Sequence, residues 1–555
     1  MRSTARTMAR WSTIELILLL SIIATTVVQS VPPQVPLQVE VTKPRKLRGR
    51  FLQITDLHPD PYYTNHASQS SACHRRKPKK EKQRSNLYGT PFSECDSPLI
   101  LTNFTLDFLD KHWASELDFV IWTGDNARHD NDRKLPRTPS EIYELNRAVA
   151  SKMEKIFGSK GIPVIPSLGN NDVWPHNIME AGPNSITSEF SSIWKSFIPF
   201  PMYQVFQRGG YFHVEVVPNA LAVISLNTMY FYDSNKAVGG CEYTDRDDPG
   251  NLQFDWLEVQ LTMFRERKMQ VWLSGHVPPS PGNYFPECYV RYTELALRFQ
   301  DTIVGHVYGH MNADHFTFVE AVDLQLVVAP SSVSGKAELY KDLIEEFSAL
   351  PKKAKEVNYD NYSVINVSPP VVPNPYVPTF RVFSYNVSEH GEIQGKKRKH
   401  RHERGKHGDK GSECKKEPYK NSWKCHLNEP WHSDPDSPSR RNQRWTPLGY
   451  AQYYLPNLEN ANKSHKPKFK LEYLTFPLSK LHPEGDAVKQ KFDYPVPVHH
   501  LPRSLQEGNV STSRYAPYSM EDLTIGSWVE LARRLGNSKE SKLRKRFKKL
   551  MYLEY

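Results

Sequence analysis

None of the six cysteines stands in a CxxC pair, which removes a zinc ribbon from consideration. No internal repeat is present, so a solenoid or a propeller is excluded as well. Acidic residues fall short of basic ones, 61 against 72, for a net charge of +11 and a pI near 9.0. That imbalance disfavours cationic partners and favours nucleic acid, another polyanion or a membrane surface. Long apolar runs are scarce: the one of note is WSTIELILLLSIIATTVVQSV at 11–31. What the chain does have is a 38% apolar content, enough for a globular body. Its 43 prolines and mean hydropathy of -0.61 indicate much loop and some unfolded sequence. A length of 555 residues fits two to four domains, or one elaborated domain.

Arg2, Arg6 and Arg10 precede the apolar run, which is long enough to span a bilayer and carries Glu15 at its edge. One reading is a cleaved signal peptide with VQS as the processing site. The other, favoured by the length of the run, is an uncleaved signal-anchor at 11–31 behind a short cytoplasmic tail at 1–10. Lys43, Arg45, Lys46, Arg48 and Arg50 blur the charge asymmetry that would settle orientation. An even cysteine count in an exported chain points to disulfides. Proximity in sequence favours Cys73 with Cys95, Cys241 with Cys288, and Cys414 with Cys425. Sequons at Asn103, Asn361, Asn366, Asn386, Asn462 and Asn509 agree with a glycosylated, non-cytosolic protein.

Residues 32–48 are rich in Pro, Lys and Arg and read as a stalk. From 49 onward the pattern changes. Apolar strands are expected at GRFLQITDLH (49–58), 118–123, 162–167, 221–226, 270–274 and 303–308. Helical faces lie between them: Leu101, Phe104, Phe108 and Leu109, then Ile142, Leu145, Val149, Met153 and Ile156 behind Ser140 as N-cap. Residues 252–266 and 291–300 are also helical. Strands alternating with helices predict an α/β layered domain over 49–350. Residues 351–535 read as an irregular C-terminal extension, with strands at 449–454 and 469–475 and a helix at 518–535. Two basic inserts, 74–84 and 396–410, read as solvated loops or as landing surfaces for a polyanion. Residues 536–555 form a basic amphipathic tail.

Five polar clusters follow the strands. They are Asp56-Leu57-His58, Gly124-Asp125-Asn126, Gly169-Asn170-Asn171-Asp172, Gly275-His276, and Gly309-His310-Met311-Asn312. In open α/β sheets the ligand crevice lies at the carboxyl ends of strands. Asp, His and Asn gathered there supply mixed N/O donors suited to divalent ions. Each cluster alone is weak, and their order and strand context are strong.

Together the clusters resemble the DxH, GD, GNH, GH and GHxH pattern of the calcineurin-like metallophosphoesterase superfamily, over about 49–330. The resemblance implies a four-layer αββα sandwich and two divalent ions, of identity open among Mn, Mg, Zn, Co and Fe. It implies that Asp56 and His58 bind the first ion, Asp125 bridges both, and Asn170, His276 and His310 bind the second. A metal-bound hydroxide would then attack phosphorus in line. Two positions depart from the pattern. Asn171 replaces the GNH histidine, and Asn312 replaces the second histidine of GHxH. Asn312 can still ligate the first ion through its carbonyl oxygen, which would favour a harder ion such as Mn or Mg. Asp314 and His315 are neighbouring substitutes for that role.

GDNARHD, with His129 four residues after Asp125, is similar to the acid sphingomyelinase-like branch, where that histidine is a proposed proton donor. The alternative role for His129 is a brace on Asp125 or Asp130. GNNDVWPHN with GHMNADHF resembles the fungal endopolyphosphatases of that branch. This implies cleavage of internal phosphoanhydride bonds in long inorganic polyphosphate, by a single-pass type II protein of the vacuole membrane with a lumenal catalytic domain. Asn171 is then expected to matter little as an acid, because a phosphate-chain oxygen leaves with less help than an alkoxide. Arg128, Arg133 and Lys134, beside His129, are candidate contacts for the polyanion, with no nucleic acid expected and the oligomeric state open. Two alternatives stand behind this reading: a sphingomyelinase-like phosphodiesterase, for which no Cys-rich segment precedes residue 49, and an inactive polyanion-binding protein.

Overall fold

The computed structural model describes residues 46–326, 339–388, 414–417, 419–427, 434–481, 495–506 and 512–553. The predicted tail 1–10, the anchor 11–31, nearly all of the stalk, the insert 396–410 and Asn509 lie outside them. Among the described residues no helix is long and apolar enough to cross a membrane.

The first part of the chain runs β1 (Arg50–Ile54), β2 (Pro59–Asp60), β3 (Ser97–Pro98), α1 (Leu99–His112), β4 (Phe119–Trp122), α2 (Pro139–Ile156) and β5 (Val164–Pro166). Next come α3 (Ser185–Ile193), α4 (Tyr203–Gly209), β6 (Phe212–Val217), β7 (Leu221–Ser225), α5 (Pro249–Glu266), β8 (Gln270–Ser274), α6 (Pro286–Arg298), β9 (Ile303–Tyr308) and β10 (His315–Glu320). The last part holds α7 (Leu339–Ala349), β11 (Tyr362–Val367), β12 (Thr379–Tyr385), β13 (Pro447–Tyr454), β14 (Lys470–Leu474), α8 (Ile525–Gly536) and α9 (Ser541–Met551). Each expected apolar strand forms within a few residues of its predicted bounds.

Two six-stranded sheets result, ordered β14-β13-β12-β1-β4-β5 and β10-β11-β9-β8-β7-β6. In the first, β1, β4 and β5 are parallel. In the second, β7, β8, β9 and β11 are parallel. The sheets meet through Phe51 of β1, whose ring lies 4.8 Å from Trp272 of β8. Phe51 also stacks between Phe119 and Phe383, at 4.7 and 4.8 Å. A fully buried phenylalanine of this kind contributes roughly 1.5–3 kcal/mol by area alone. Trp272 packs against Gly305 because a Cβ there would run into the indole ring.

Residue 350 divides no two bodies, since Leu47–Tyr555 forms one compact unit. Strand β12, from beyond that boundary, pairs antiparallel with β1, and β13 and β14 extend the same sheet. Helix starts move for local reasons. The N-cap of α2 is Thr138, whose hydroxyl accepts from the Glu141 N–H, and not Ser140. Pro139 fills the first helical position, where a missing N–H costs nothing. The helix predicted at 518–535 starts at Ile525, because Asp522 Oδ1 accepts from the Thr524 and Ser527 hydroxyls and holds the chain outside helical geometry. All three disulfides pair as sequence proximity favoured: Cys73–Cys95, Cys241–Cys288 and Cys414–Cys425.

Two sequons fall inside the body. Asn366 sits on β11 between β10 and β9 and is buried, so a glycan has no room on its amide. Asn386 is buried too, with its Nδ2 donating to Asn442. Asn103 and Asn462 are exposed, and Asn361 is half-buried.

Candidate metal centre

The clusters after β1, β4, β5, β8 and β9 converge at the carboxyl ends of the parallel strands. The turns that carry them are tight. Asp56, His58, Asp125, His310 and Asn312 all adopt positive φ, between 38° and 69°. Non-glycine residues rarely do so, and such conformations concentrate at functional sites. Backbone bonds lock the first two loops together: Asp56 N–H donates to Gly124 O at 3.0 Å and Leu57 N–H to Asp125 O at 2.9 Å. At Gly169 and Gly309 a Cβ would strike the Asp125 and Asp56 carboxylates respectively, so those loops need glycine to approach.

One half of the centre is built from Asp56, His58 and Asp125, whose ligating atoms lie within 4.8 Å of one another. His58 Nδ1 faces the Ala127 carbonyl at 2.8 Å, and a proton there leaves Nε2 as the donor. Among the described residues His58 Nε2, Asp56 Oδ1 and Asn312 Oδ1 are buried without a well-formed hydrogen bond, His58 Nε2 lying 3.3 Å from Asp125 Oδ2 and 3.6 Å from Asp56 Oδ1. Buried polar atoms without partners are costly. These three belong to the predicted first-ion set, and a cation between Asp56 and His58 would satisfy the donors of both. The Asn312 amide is oriented for this, because its Nδ2 donates to Asn374 O at 3.1 Å and frees the oxygen.

The other half centres on Asn170 Oδ1. It lies 2.9 Å from His276 Nε2 and 2.9 Å from His310 Nδ1. His276 Nε2 is also 3.2 Å from Asp125 Oδ2. His276 Nδ1 faces Thr123 O at 2.7 Å, and Asn170 Nδ2 faces Asn177 Oδ1 at 2.9 Å. Both side chains are thereby turned with their donor atoms inward. Asp125 Oδ2 touches both halves, 3.3 Å from His58 Nε2 and 3.2 Å from His276 Nε2.

The electrostatics agree. Burial works against the charge on Asp125, but the facing His276 and His58 outweigh it and hold its carboxyl well below the usual range. Burial likewise opposes a charged His276, yet Asp125 and then Asp56 lift it to about 9. His58 is raised well above its ordinary value in the same way. Anionic carboxylates beside protonatable imidazoles form a site where protons and divalent cations compete.

Asn171 sits inside the centre but acts on Asp125. Its backbone N–H donates to Oδ1 at 2.8 Å and its Nδ2 to Oδ2 at 2.9 Å. His129 braces neither Asp125 nor Asp130. Its partner is Asp96, which accepts the ring Nδ1 at 2.7 Å and the backbone N–H at 2.6 Å, and the His129 ring stacks on His58 at 3.9 Å. Burial opposes the Asp96 charge, but His129 and then His58 hold its carboxyl below the usual range.

Arg128 is not a substrate contact. It is buried, with Nε on Glu141 Oε1 at 2.5 Å and its remaining nitrogens on the His129 and Leu135 carbonyls. Arg133 and Lys134 are exposed beside it. Asp314 and His315 do not substitute for Asn312. Asp314 pairs with Arg381 and accepts from Gln452 and Tyr473, and His315 is buried on β10 with Nδ1 on Ala313 O. The insert 74–84 is tied down: Arg75 pairs with Asp132, and His74 bridges Asp60 and Asp132.

Two residues, Asp96 and Arg137, escaped the sequence reading, and Asp172 was placed in a cluster there without a role. Asp96 has no motif around it. Asp172 accepts from the backbone N–H of Asp125, Asn126 and Gly169, stapling two loops, and its one signal was adjacency to the GNN run. Arg137 is buried and donates from one nitrogen to both Arg128 O and Asn171 O, while Nε and the other terminal nitrogen have no partner.

Residues 49–313 match the family model described as calcineurin-like phosphoesterase. Among curated proteins, the chain is 39% identical to an endopolyphosphatase of Cryptococcus neoformans, over 92% of this chain and 92% of that one. It is 33% identical to the endopolyphosphatase of Neurospora crassa, over 88% and 78% respectively. It is 45% identical to that of Saccharomyces cerevisiae over 51% of this chain and 43% of that protein. A chain with this candidate metal centre and this extent of likeness belongs to the endopolyphosphatase family of calcineurin-like phosphoesterases.

Proposed function

We propose that the protein is an endopolyphosphatase, hydrolysing internal phosphoanhydride bonds of inorganic polyphosphate at a two-ion centre in a four-layer αββα sandwich. The observation that carries this is the buried Asp56–His58–Asp125 group beside the Asn170–His276–His310 set, with Asp125 between them. Divalent ions held there supply Lewis acidity toward phosphoryl oxygens and toward water. The carbonyl donor at Asn312, in place of an imidazole, favours Mn or Mg in the first position.

The chain's own residues do the rest. Asn171 holds the Asp125 carboxylate and Asp172 accepts its backbone N–H, so the geometry exists before substrate arrives. His129, held by Asp96 at Nδ1, keeps Nε2 for a proton that can be handed to the leaving oxygen. An amide at position 171 has no acid proton to give. That suits a phosphate-chain leaving group, which is a weaker base than an alkoxide. The same argument disfavours the sphingomyelinase-like reading, and the complete donor set disfavours an inactive binder.

The apolar run at 11–31, the three disulfides and the exposed sequons Asn103 and Asn462 support a membrane-anchored protein with its catalytic body in a non-cytosolic compartment, which we assign to the vacuole. The test is to incubate purified protein with long-chain polyphosphate and Mn, then resolve products by gel. Mid-length chains appearing early support an endo-acting enzyme. Release of orthophosphate alone, or turnover of choline phosphodiesters alone, overturns the reading.

A further inference from the structure

The basic tail has a defined fold that the metal centre does not use. It is helix α9, one face of which is inside the protein: Leu543, Phe547, Leu550 and Met551 are buried, with Phe547 against the rings of Phe316 and Phe347. The outward face carries Lys542, Arg544, Lys545, Arg546, Lys548 and Lys549, and the one acidic residue at the helix is its N-cap, Glu540. Lys542, Lys545 and Lys548 are exposed and Arg544 is half-exposed. Among the described residues Lys542, Arg544 and Lys545 have no ion-pair partner. Lys548 lies over the Tyr340 ring at 5.4 Å, and Arg546 donates to the Arg514 carbonyl at 3.1 Å.

This arrangement works against the helix itself. Lys542 and Arg544 sit at its N-terminal end, where the macrodipole disfavours cations. Lys542 with Lys545 and Arg546, Arg544 with Lys548, and Lys545 with Lys548 and Lys549 are like charges three or four residues apart, which repel. A mixture of glutamate and lysine would keep the face soluble and remove the repulsion. A polyanion laid along the face relieves it.

The place where α9 ends says which polyanion. The Met551 carbonyl accepts the backbone N–H of Asp314 at 3.0 Å, two residues past the ligand candidate Asn312. Tyr552 continues onto Tyr376, with rings 5.6 Å apart, beside the Asn374 carbonyl that orients Asn312. Lys470 also stands exposed, on edge strand β14. Helix α9 therefore ends against the segment that follows the Asn312 loop, with its basic face on the outside of the body. The apolar face of α9 is already packed in the core, so a lipid surface would find charge alone and no insertable side chains.

We propose that the outward face of α9 is the surface along which a long polyphosphate chain lies as it enters the metal centre, with Lys542, Arg544, Lys545 and Lys548 as its contacts. This rests on polyphosphate being the substrate. The test uses the full chain carrying K542Q, R544Q, K545Q and K548Q together, all at solvent-facing positions. We expect KM for long-chain polyphosphate to rise about tenfold at low salt, with a shallower salt dependence, as counterion release predicts. Activity on a short oligophosphate and the melting temperature are expected to hold. Unchanged long-chain KM overturns the proposal. So does an equal loss on long and short chains, which would make α9 a structural helix. Loss of binding to phosphatidylserine vesicles with polyphosphate KM intact would assign the face to a membrane instead. Direct binding of long polyphosphate in the presence of chelator reads the surface without turnover, so failure of wild-type protein to cleave polyphosphate is separable from failure of the α9 surface.

Discussion

Asn171 grips Asp125 twice, through its backbone N–H to one carboxylate oxygen at 2.8 Å and through its side-chain amide to the other at 2.9 Å. The position at which the broader family pattern places histidine thus serves the Asp125 carboxylate. Removing an outer partner of a ligand typically costs about 10–100-fold in metal affinity or activity. Asn171→Ala should lose activity in that range at limiting metal and recover most of it in excess Mn. Activity lost with both ions still bound would show that Asn171 acts on the substrate.

His129 and Asp96 should behave as a unit. His129→Gln and Asp96→Asn are each expected to lower kcat by about a hundredfold if His129 moves a proton. The double variant should be little worse than either single one. Additive losses would separate the two residues, and a change in the pH–rate profile of Asp96→Asn is the signature that positioning alone would not produce.

Asn312→Ala removes one of the three buried donors that lack a well-formed hydrogen bond. Metal analysis should then show about one tightly held ion where the parent holds two. Asn312→His should restore the second ion and move preference toward Zn, since imidazole is a softer donor than a carbonyl. Two tightly bound ions in Asn312→Ala would remove Asn312 from the ligand set.

Stability should fall as pH rises through neutrality. Glu346 accepts from the Thr317 hydroxyl at 2.8 Å and the Phe318 N–H at 3.0 Å. Burial first, then Glu320 and Asp323, push its carboxyl up to about 8 from 4.5. Burial also lifts Glu320 to about 7. A carboxyl that keeps its proton to higher pH when folded contributes stability in full below the unfolded value and loses it through the folded one. The melting temperature should therefore decline from about pH 4.5 to about pH 8, and Glu346→Gln should flatten that decline. An unchanged slope in the variant would place the dependence elsewhere.

Glycan mapping of protein made in a secretory host should find occupancy at the exposed Asn103 and Asn462 and none at Asn366, which lies on an interior strand. A glycan on Asn366 would mean that β11 is not paired on both sides when the chain is modified.

Sequence alone determined which strands are buried, where the glycines stand and which ligand types follow each strand. Those features are local: period, apolar runs and the residues just after them. The pairing of the six cysteines followed from proximity for the same reason. What sequence could not decide were partnerships across distance. Asp96 meets His129 because the Cys73–Cys95 bridge and the β2–β3 pair bring its loop there. Arg128 looked like a surface cation and is spent on Glu141. Asn366 satisfies a sequon and is buried between two strands. The tail read as basic and amphipathic without a partner for its apolar face, and tertiary packing of Phe547 and Leu550 supplies one and ends the helix against Asp314. Charge and donor type are properties of a residue, written in the chain. Burial, partner and direction belong to the fold, since they depend on what other segments close around that residue.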